Sequence, residues 1–427
     1  MPTIAERIAP ARLGVGFRWL LASSWVSNLG DGFALAAGPL LVASQSRDPR
    51  LVAASVLLQQ VPWLLFGLFA GVLADRLDRR LMVVVVDVLR TVVLALLVAS
   101  IVTGTVNIAL ALVAMFLMGT AEVFSNTASS TLMPMLVPRG DLAIANARIQ
   151  TGWVTVNQLA GPPIGAALFA AGMALPFIAQ GVLVGVGALL IAQVVLPKEV
   201  HEPRADTRIR ADIAEGVRWV VHHPAVRTLV LTILIFNVTF GAAWSLLVLY
   251  AKERLGLNAV GFGLISATIA VGGIIASLLY GRIIRHLRLS DLMRIGLIVE
   301  TFTHLALALT TTPAVALVIF FVFGAHASIW GTTSATIRQR AVPLPLQGRV
   351  TSVNALGTFA GMVIGAAIGG PIAAKWGITA PFWFAFAGSG LFVILIWGQL
   401  RYIAHDDDLE QAAVPEPVDE ADAVAAR

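Results

Sequence analysis

Seven ionisable side chains stand inside stretches that are otherwise apolar: Asp31, Asp87, Arg90, Glu122, Glu300, His304 and His326. A charge at the centre of a bilayer costs about 3 kcal/mol on insertion scales, so such residues mark ion paths, proton relays or substrate sites. Glu122 lies 16 residues into its stretch, or about 24 Å along a helix at about 1.5 Å per residue. A carboxylate at that depth can alternate between protonated and charged forms. Arg90 is expected at similar depth on the preceding span and is the candidate ion-pair partner of Glu122. Asp31 lies deep in the first span, with Asn28 three residues earlier on the same helix face. Glu122 and Asp31 are therefore the candidate proton-coupling residues. Asp87 sits one turn inside a span edge and is expected to brace the loop before it. Glu300 and His304, four residues apart, are within reach of each other on one helix face and are expected to pair. Candidates to line a cavity are Asn28, Phe124, Trp153, Asn157, Asn237, Trp244, His326 and Trp330.

Catalytic chemistry has little to work with here. There is no cysteine, which removes disulfides, Cys-ligated zinc and iron–sulfur centres. No glycine-rich loop with lysine is present to cradle ATP phosphates. No cluster of His, Asp and Glu gathers near one interface. The chain is thus expected not to be an enzyme and to need no cofactor or metal. The carriers left to it are protons and a small-molecule substrate.

The elements that position these residues follow from composition. Of 427 residues, 58% are hydrophobic and only 12% charged, and the mean hydropathy is +0.86. A soluble domain carries about 25% charged residues, so most of this surface must face lipid. Apolar runs long enough to cross a bilayer fall near 17–44, 51–73, 81–103, 107–132, 146–171, 174–196, 228–250, 259–281, 292–311, 314–336, 350–374 and 379–400. The expectation is an all-α membrane protein of twelve transmembrane helices. The first run is too long for a cleaved leader and reads as a retained helix. The longest polar interruption, 196–227, contains an amphipathic stretch at 212–221 suited to the membrane surface. The expected organisation is a six-helix half over 1–196, a cytoplasmic linker over 197–227, a second six-helix half over 228–401 and an acidic disordered tail over 402–427.

Alternating twelve spans from a cytoplasmic N-terminus puts 23 Lys and Arg on the cytoplasmic face and five on the other, with Arg90 inside a span. That is the positive-inside bias. It also accounts for the basic pI of about 10.2 without any nucleic-acid partner. The partner is the lipid bilayer, and the chain is expected to act as a monomer. The 26 Arg against three Lys suit a GC-rich bacterium, so the expected location is a bacterial inner membrane, with both termini cytoplasmic.

The two halves are related. Residues 116–138 align without gaps to 321–343, and seven of the 23 positions are identical: Phe116/Phe321, Gly119/Gly324, Thr127/Thr332, Ser129/Ser334, Thr131/Thr336, Val137/Val342 and Pro138/Pro343. The segments lie six spans apart and run in the same direction. Parallel repeats of six spans place a substrate site at their interface near the midplane.

Between spans two and three stands Gly71-Val-Leu-Ala-Asp75-Arg76-Leu-Asp78-Arg79-Arg80. It resembles the signature loop of the major facilitator superfamily, with Asp78 where that loop usually has Gly. Gly71 is expected to let span two approach a neighbour, Asp75 to take a helix N-terminus or an Arg, and Arg76, Arg79 and Arg80 to hold the loop on the cytoplasmic side. Span five carries Gly161-Pro162-Pro163-Ile164-Gly165-Ala166. This is similar to the Gly-Pro-x-x-Gly motif of antiporters in that superfamily, whose prolines bend the helix and whose glycines permit close packing. With Asn28-Leu-Gly-Asp31 and Gly119-Thr-Ala-Glu122, residues 1–400 resemble the drug-efflux branch that includes macrolide efflux proteins, the enterobactin exporter and Tap-like multidrug pumps. The resemblance implies the major facilitator fold, two parallel six-helix halves, and proton-coupled export of hydrophobic drug-like molecules. Span four has Glu122 where better-known drug antiporters have Arg, so that Arg role does not carry over. The alternatives are proton-coupled uptake of a metabolite and export of one natural product such as a siderophore.

Overall fold

The computed structural model describes residues 10–196, 209–343 and 346–399. The elements are helices, and no strand occurs among the described residues. The N-terminal half comprises α1 (Gly14–Gln45), α2 (Pro49–Arg76), α3 (Arg79–Val102), α4 (Ile108–Leu136), α5 (Leu142–Gly152), α6 (Gly161–Ala171) and α7 (Leu175–Ile191). A π-helical segment, Trp153–Ala160, joins α5 to α6. These three pieces make one rod, the fifth span. The amphipathic α8 (Ile209–His222) follows, then α9 (Pro224–Trp244), α10 (Ala259–Ile283), α11 (Leu289–Leu309), α12 (Pro313–Ala341), α13 (Gln347–Trp376) and α14 (Ala380–Ile396). Among the described residues nine helices are long and apolar enough to cross a membrane, and α7 and α14 are shorter apolar helices. With the compound fifth rod they correspond one to one to the twelve expected spans. Residues 402–427 lie outside the described residues, as does 197–208 of the expected linker.

The turns follow local chemistry. Asp48, Asp78, Asn107 and Asn258 cap α2, α3, α4 and α10 by accepting from backbone N–H groups, which satisfies donors that a helix start leaves free. Asp78, the departure from the signature pattern, thus starts α3, its carboxylate accepting from Leu81 N at 3.0 Å. Arg79 donates to the Ala74 carbonyl at 2.9 Å and to Met135 Sδ at 2.9 Å. Arg80 donates to the Val194 carbonyl at 2.9 Å. The loop therefore ties the end of α2 to the ends of α4 and α7. Arg76 is exposed. Gly71 does not serve a close helix approach: a Cβ there would meet nothing within 4 Å. The side chain of Asp75 lies outside the described residues.

The apolar core is asymmetric along the membrane normal. At the end where α1 finishes and α2 begins, one core runs through both halves, from Leu41, Val52 and Phe177 to Tyr250, Phe262 and Phe382. At the basic end the cores are separate. One joins Phe17, Leu20, Met82 and Leu132 of the first half, and another joins Leu229, Phe236, Met293 and Leu297 of the second. The bundle is sealed at one end and split at the other.

Candidate functional site

A cavity of about 380 Å³ lies near the middle of the spans. Its walls are Asp31, Gln59, Gln60, Trp63, Arg90, Glu122, Asn126, Trp153, Asn157, Gln158, Phe177 and Gln180, with apolar residues between them, and Phe359 of α13. All but Phe359 belong to the first six spans. The helix periods explain the grouping: Glu122 and Asn126 are four apart on α4, and Gln59, Gln60 and Trp63 share one side of α2.

Arg90 organises the charges. Its guanidinium holds Asp31 through one nitrogen and Asp87 through another, the latter at 3.2 Å. Asp87 also accepts from Ser125 Oγ at 3.2 Å, and Asp31 accepts from Gln180 at 3.4 Å. Arg90 is 3% exposed and Asp87 1%. Buried charges persist only when paired and hydrogen-bonded, and this network supplies both. Three acids and one base converge. Glu122 feels Arg90 and Asp31 electrostatically but makes no ion pair within 4 Å among the described residues.

Several expectations need correcting. Arg90 pairs with Asp31 of α1 and with Asp87, one turn before it on α3, and not with Glu122. Asp87 does not brace the signature loop. It is a member of the Arg90 network, and its spacing of three from Arg90 was the sequence signal. Glu300 pairs with His326 at 3.3 Å and not with His304; His304 is fully buried, with no hydrogen-bond partner among the described residues. His326 is therefore packed between α11 and α12 and does not line the cavity.

Of the candidate cavity residues, Trp153 and Asn157 line it. Asn28 stands behind the wall, its carbonyl accepting from Asn157 Nδ2 at 3.0 Å. Phe124 packs on Phe66 and Phe69. Trp244 stacks with Phe240 and Phe323, Asn237 donates to the Ile233 carbonyl at 2.7 Å, and Trp330 is half-buried, against Gly296. None of these four reaches the cavity. The carboxamides Gln59, Gln60, Asn126, Gln158 and Gln180 and the ring of Phe359 were missed by a reading that weighed charges first. A polar amide within an apolar run was the available signal.

The fifth span is built around its prolines. Pro162 and Pro163 lack the N–H groups that would bond to carbonyls four residues back, and the π-helical turn ends just before them. Such turns are frequent at functional sites, and this one presents Trp153, Asn157 and Gln158 to the cavity. Gly161 and Gly165 then seat against α1: an added Cβ at Gly161 would lie 2.5 Å from Gly32 Cα, and one at Gly165 would lie 2.6 Å from Phe33 Cα.

A family model described as transmembrane secretion effector matches residues 5–424. The multidrug efflux pump Tap of Mycolicibacterium fortuitum is 24% identical over 379 residues, which cover 85% of this chain and 90% of that protein. Among solved structures, a mutant of the nucleoside transporter NupG aligns with a TM-score of 0.72 at 10% identity, over 90% of this chain and 99% of its own. A bacterial homologue of the iron transporter ferroportin in its inward-facing state aligns with a TM-score of 0.72 at 16% identity, over 90% and 98%. The structural likenesses are likenesses of fold.

Proposed function

Since this chain belongs to the transmembrane secretion effector family of major facilitator transporters, we propose that it exports drug-like small molecules across a bacterial inner membrane in exchange for protons. The observation that carries the reading is the Arg90 network beside Glu122: Arg90 is committed to Asp31 and Asp87, and Glu122 on the cavity wall has no ion pair among the described residues. A carboxylate so placed can hold a proton while the cavity is empty and release it when cargo enters. Asp31, hydrogen-bonded but still lining the cavity, is the second candidate carrier. The similarity to a pump named for multidrug efflux supports the direction, as does the Gly-Pro-x-x-Gly motif. The excess of Lys and Arg at the split end supports a cytoplasmic position for that end and for both termini.

The test uses inverted vesicles from cells that make the protein. An imposed proton gradient, acidic inside, should drive ethidium into the lumen, and a protonophore should abolish the movement. Movement that ignores the protonophore and needs ATP would overturn the proposal. A second reading, proton-coupled uptake of a polar metabolite, draws support from the carboxamides of the cavity wall, which suit a cargo rich in hydroxyl or amide groups. In the same vesicles it requires cargo and protons to move in the same direction.

A further inference from the structure

The cavity takes a single side chain from the second half of the molecule, Phe359 of α13. That ring lies flat on Trp63 of α2, with centroids 5.0 Å apart and planes inclined by 7°. Among the described residues no other ring pair crosses between the two halves. Both rings are half-buried and line the cavity. We infer that Trp63 and Phe359 are the two plates of a clamp that admits a flat aromatic group of the cargo, and that filling the clamp prises α2 and α13 apart. The inference rests on the reading of this cavity as the transport site.

The geometry sets the size of the movement. A flat group needs about 3.5 Å on each face, the contact distance of carbon atoms. The ring centroids must therefore stand at least about 7 Å apart, which is at least about 2 Å beyond their present 5.0 Å. The same two helices touch near the sealed end, where an added Cβ at Gly370 would lie 2.8 Å from Arg50 Cα. Phe359 is about 16 Å along α13 from that contact, so opening the clamp takes a tilt of at least about 7° about it. Such a tilt widens the split end and leaves the sealed end closed. The acid beside the clamp, Glu122, adds a preference for a cation, and flat aromatic cations are also held by ring faces. The clamp thus assigns the cargo a chemical class, a planar aromatic cation, and makes two residues that carry no charge the determinants of shape.

The experiment compares ethidium, a flat aromatic cation, with tetraphenylphosphonium, a cation whose rings are not coplanar. Binding and transport are measured with the full chain in liposomes. Phe359→Leu should weaken ethidium binding about three- to tenfold, the range for loss of one ring pair, and weaken tetraphenylphosphonium binding less. Phe359→Tyr, which keeps the ring, should behave as the parent, and Trp63→Leu should repeat the loss. Independently of any cavity variant, spin labels at the split ends of α2 and α13 should move apart on addition of ethidium and not of tetraphenylphosphonium. Equal weakening of both probes, or ethidium binding that Phe359→Leu leaves unchanged, would overturn the clamp while leaving export intact. A parent protein that binds neither probe would overturn the export reading, and the clamp with it.

Discussion

Removal of the Arg90 charge is the sharpest perturbation of the buried network. Arg90→Met keeps an unbranched stem in place of the guanidinium. It leaves Asp31 and Asp87, whose side chains are 18% and 2% exposed, facing each other and Glu122 with no base between them. Breaking a buried pair by removing one partner costs about 3–5 kcal/mol. The variant should accordingly unfold in detergent well before the parent, as followed by the fluorescence of the ten tryptophans. The cost belongs to stranded charge, so it should fall when the charge is removed too. Asp87→Asn in the Arg90→Met background should recover about 1.5–3 kcal/mol, the range for a hydrogen bond to a charged group, and a double-mutant cycle isolates that coupling. The reasoning is refuted if Arg90→Met is as stable as the parent, or if adding Asp87→Asn makes it worse.

Other consequences concern coupling and the loop. Glu122→Gln mimics the protonated carboxyl and should abolish cargo-induced proton release by the purified protein while cargo binding stays measurable. Normal release would leave Asp31 as the carrier. Asp31→Asn gives up the charge but can still accept from Arg90, so it should lower export severalfold with partial coupling kept, as measured by the proton-to-cargo ratio in vesicles. Arg79→Ala removes the bonds that tie the start of α3 to the Ala74 carbonyl of α2 and to Met135 on α4. It should cost about 1–3 kcal/mol and slow export more than it weakens cargo binding, as separate rate and affinity measurements will reveal.

The fold was legible because lipid leaves the chain few choices. Every backbone polar group must be satisfied internally, so an apolar run of sufficient length becomes a helix, and the runs around Arg79–Val102 or Ile108–Leu136 admit no other reading. The site was legible in depth and not in azimuth. Glu122 and Asp31, singled out as charges deep in spans four and one, both line the cavity. The buried stripe of α3, Asp87, Arg90, Leu94 and Leu97, recurs at helical spacing, but which partner Arg90 chooses depends on how α1 and α4 are set against that stripe, which the period of α3 alone does not report. The same blindness separated Glu300 from His326, which lie 26 residues apart and meet only after α11 and α12 are set in register. The two prolines of the fifth span announced a bend. They did not announce a π-helical turn, whose effect is to rotate Trp153 and Asn157 onto the cavity wall.

Alternation between two states requires the sealed end to open, and one contact there allows a direct trial. The fifth span meets the second half through Gly263 of α10, where an added Cβ would lie 2.7 Å from Ala166 Cβ and 2.9 Å from both the Pro162 carbonyl oxygen and Pro163 Cα. Leu in place of Gly263 cannot fit without moving α10 from α6. Overpacking of this kind costs about 1–3 kcal/mol, and the cost falls on the sealed arrangement alone, since the contact is lost when that end parts. A bias of that size shifts a two-state ratio by about 5- to 150-fold. Gly263→Leu should therefore favour the state split at the opposite end, seen as a longer distance between spin labels on the outer ends of α6 and α10, while export falls and the protein still folds. Gly263→Ala, with a single methyl, should lie between variant and parent. Parental distances and parental export from Gly263→Leu would mean that α6 and α10 part during the cycle without this contact limiting them, and that the sealed end is held by the core around Tyr250 and Phe382.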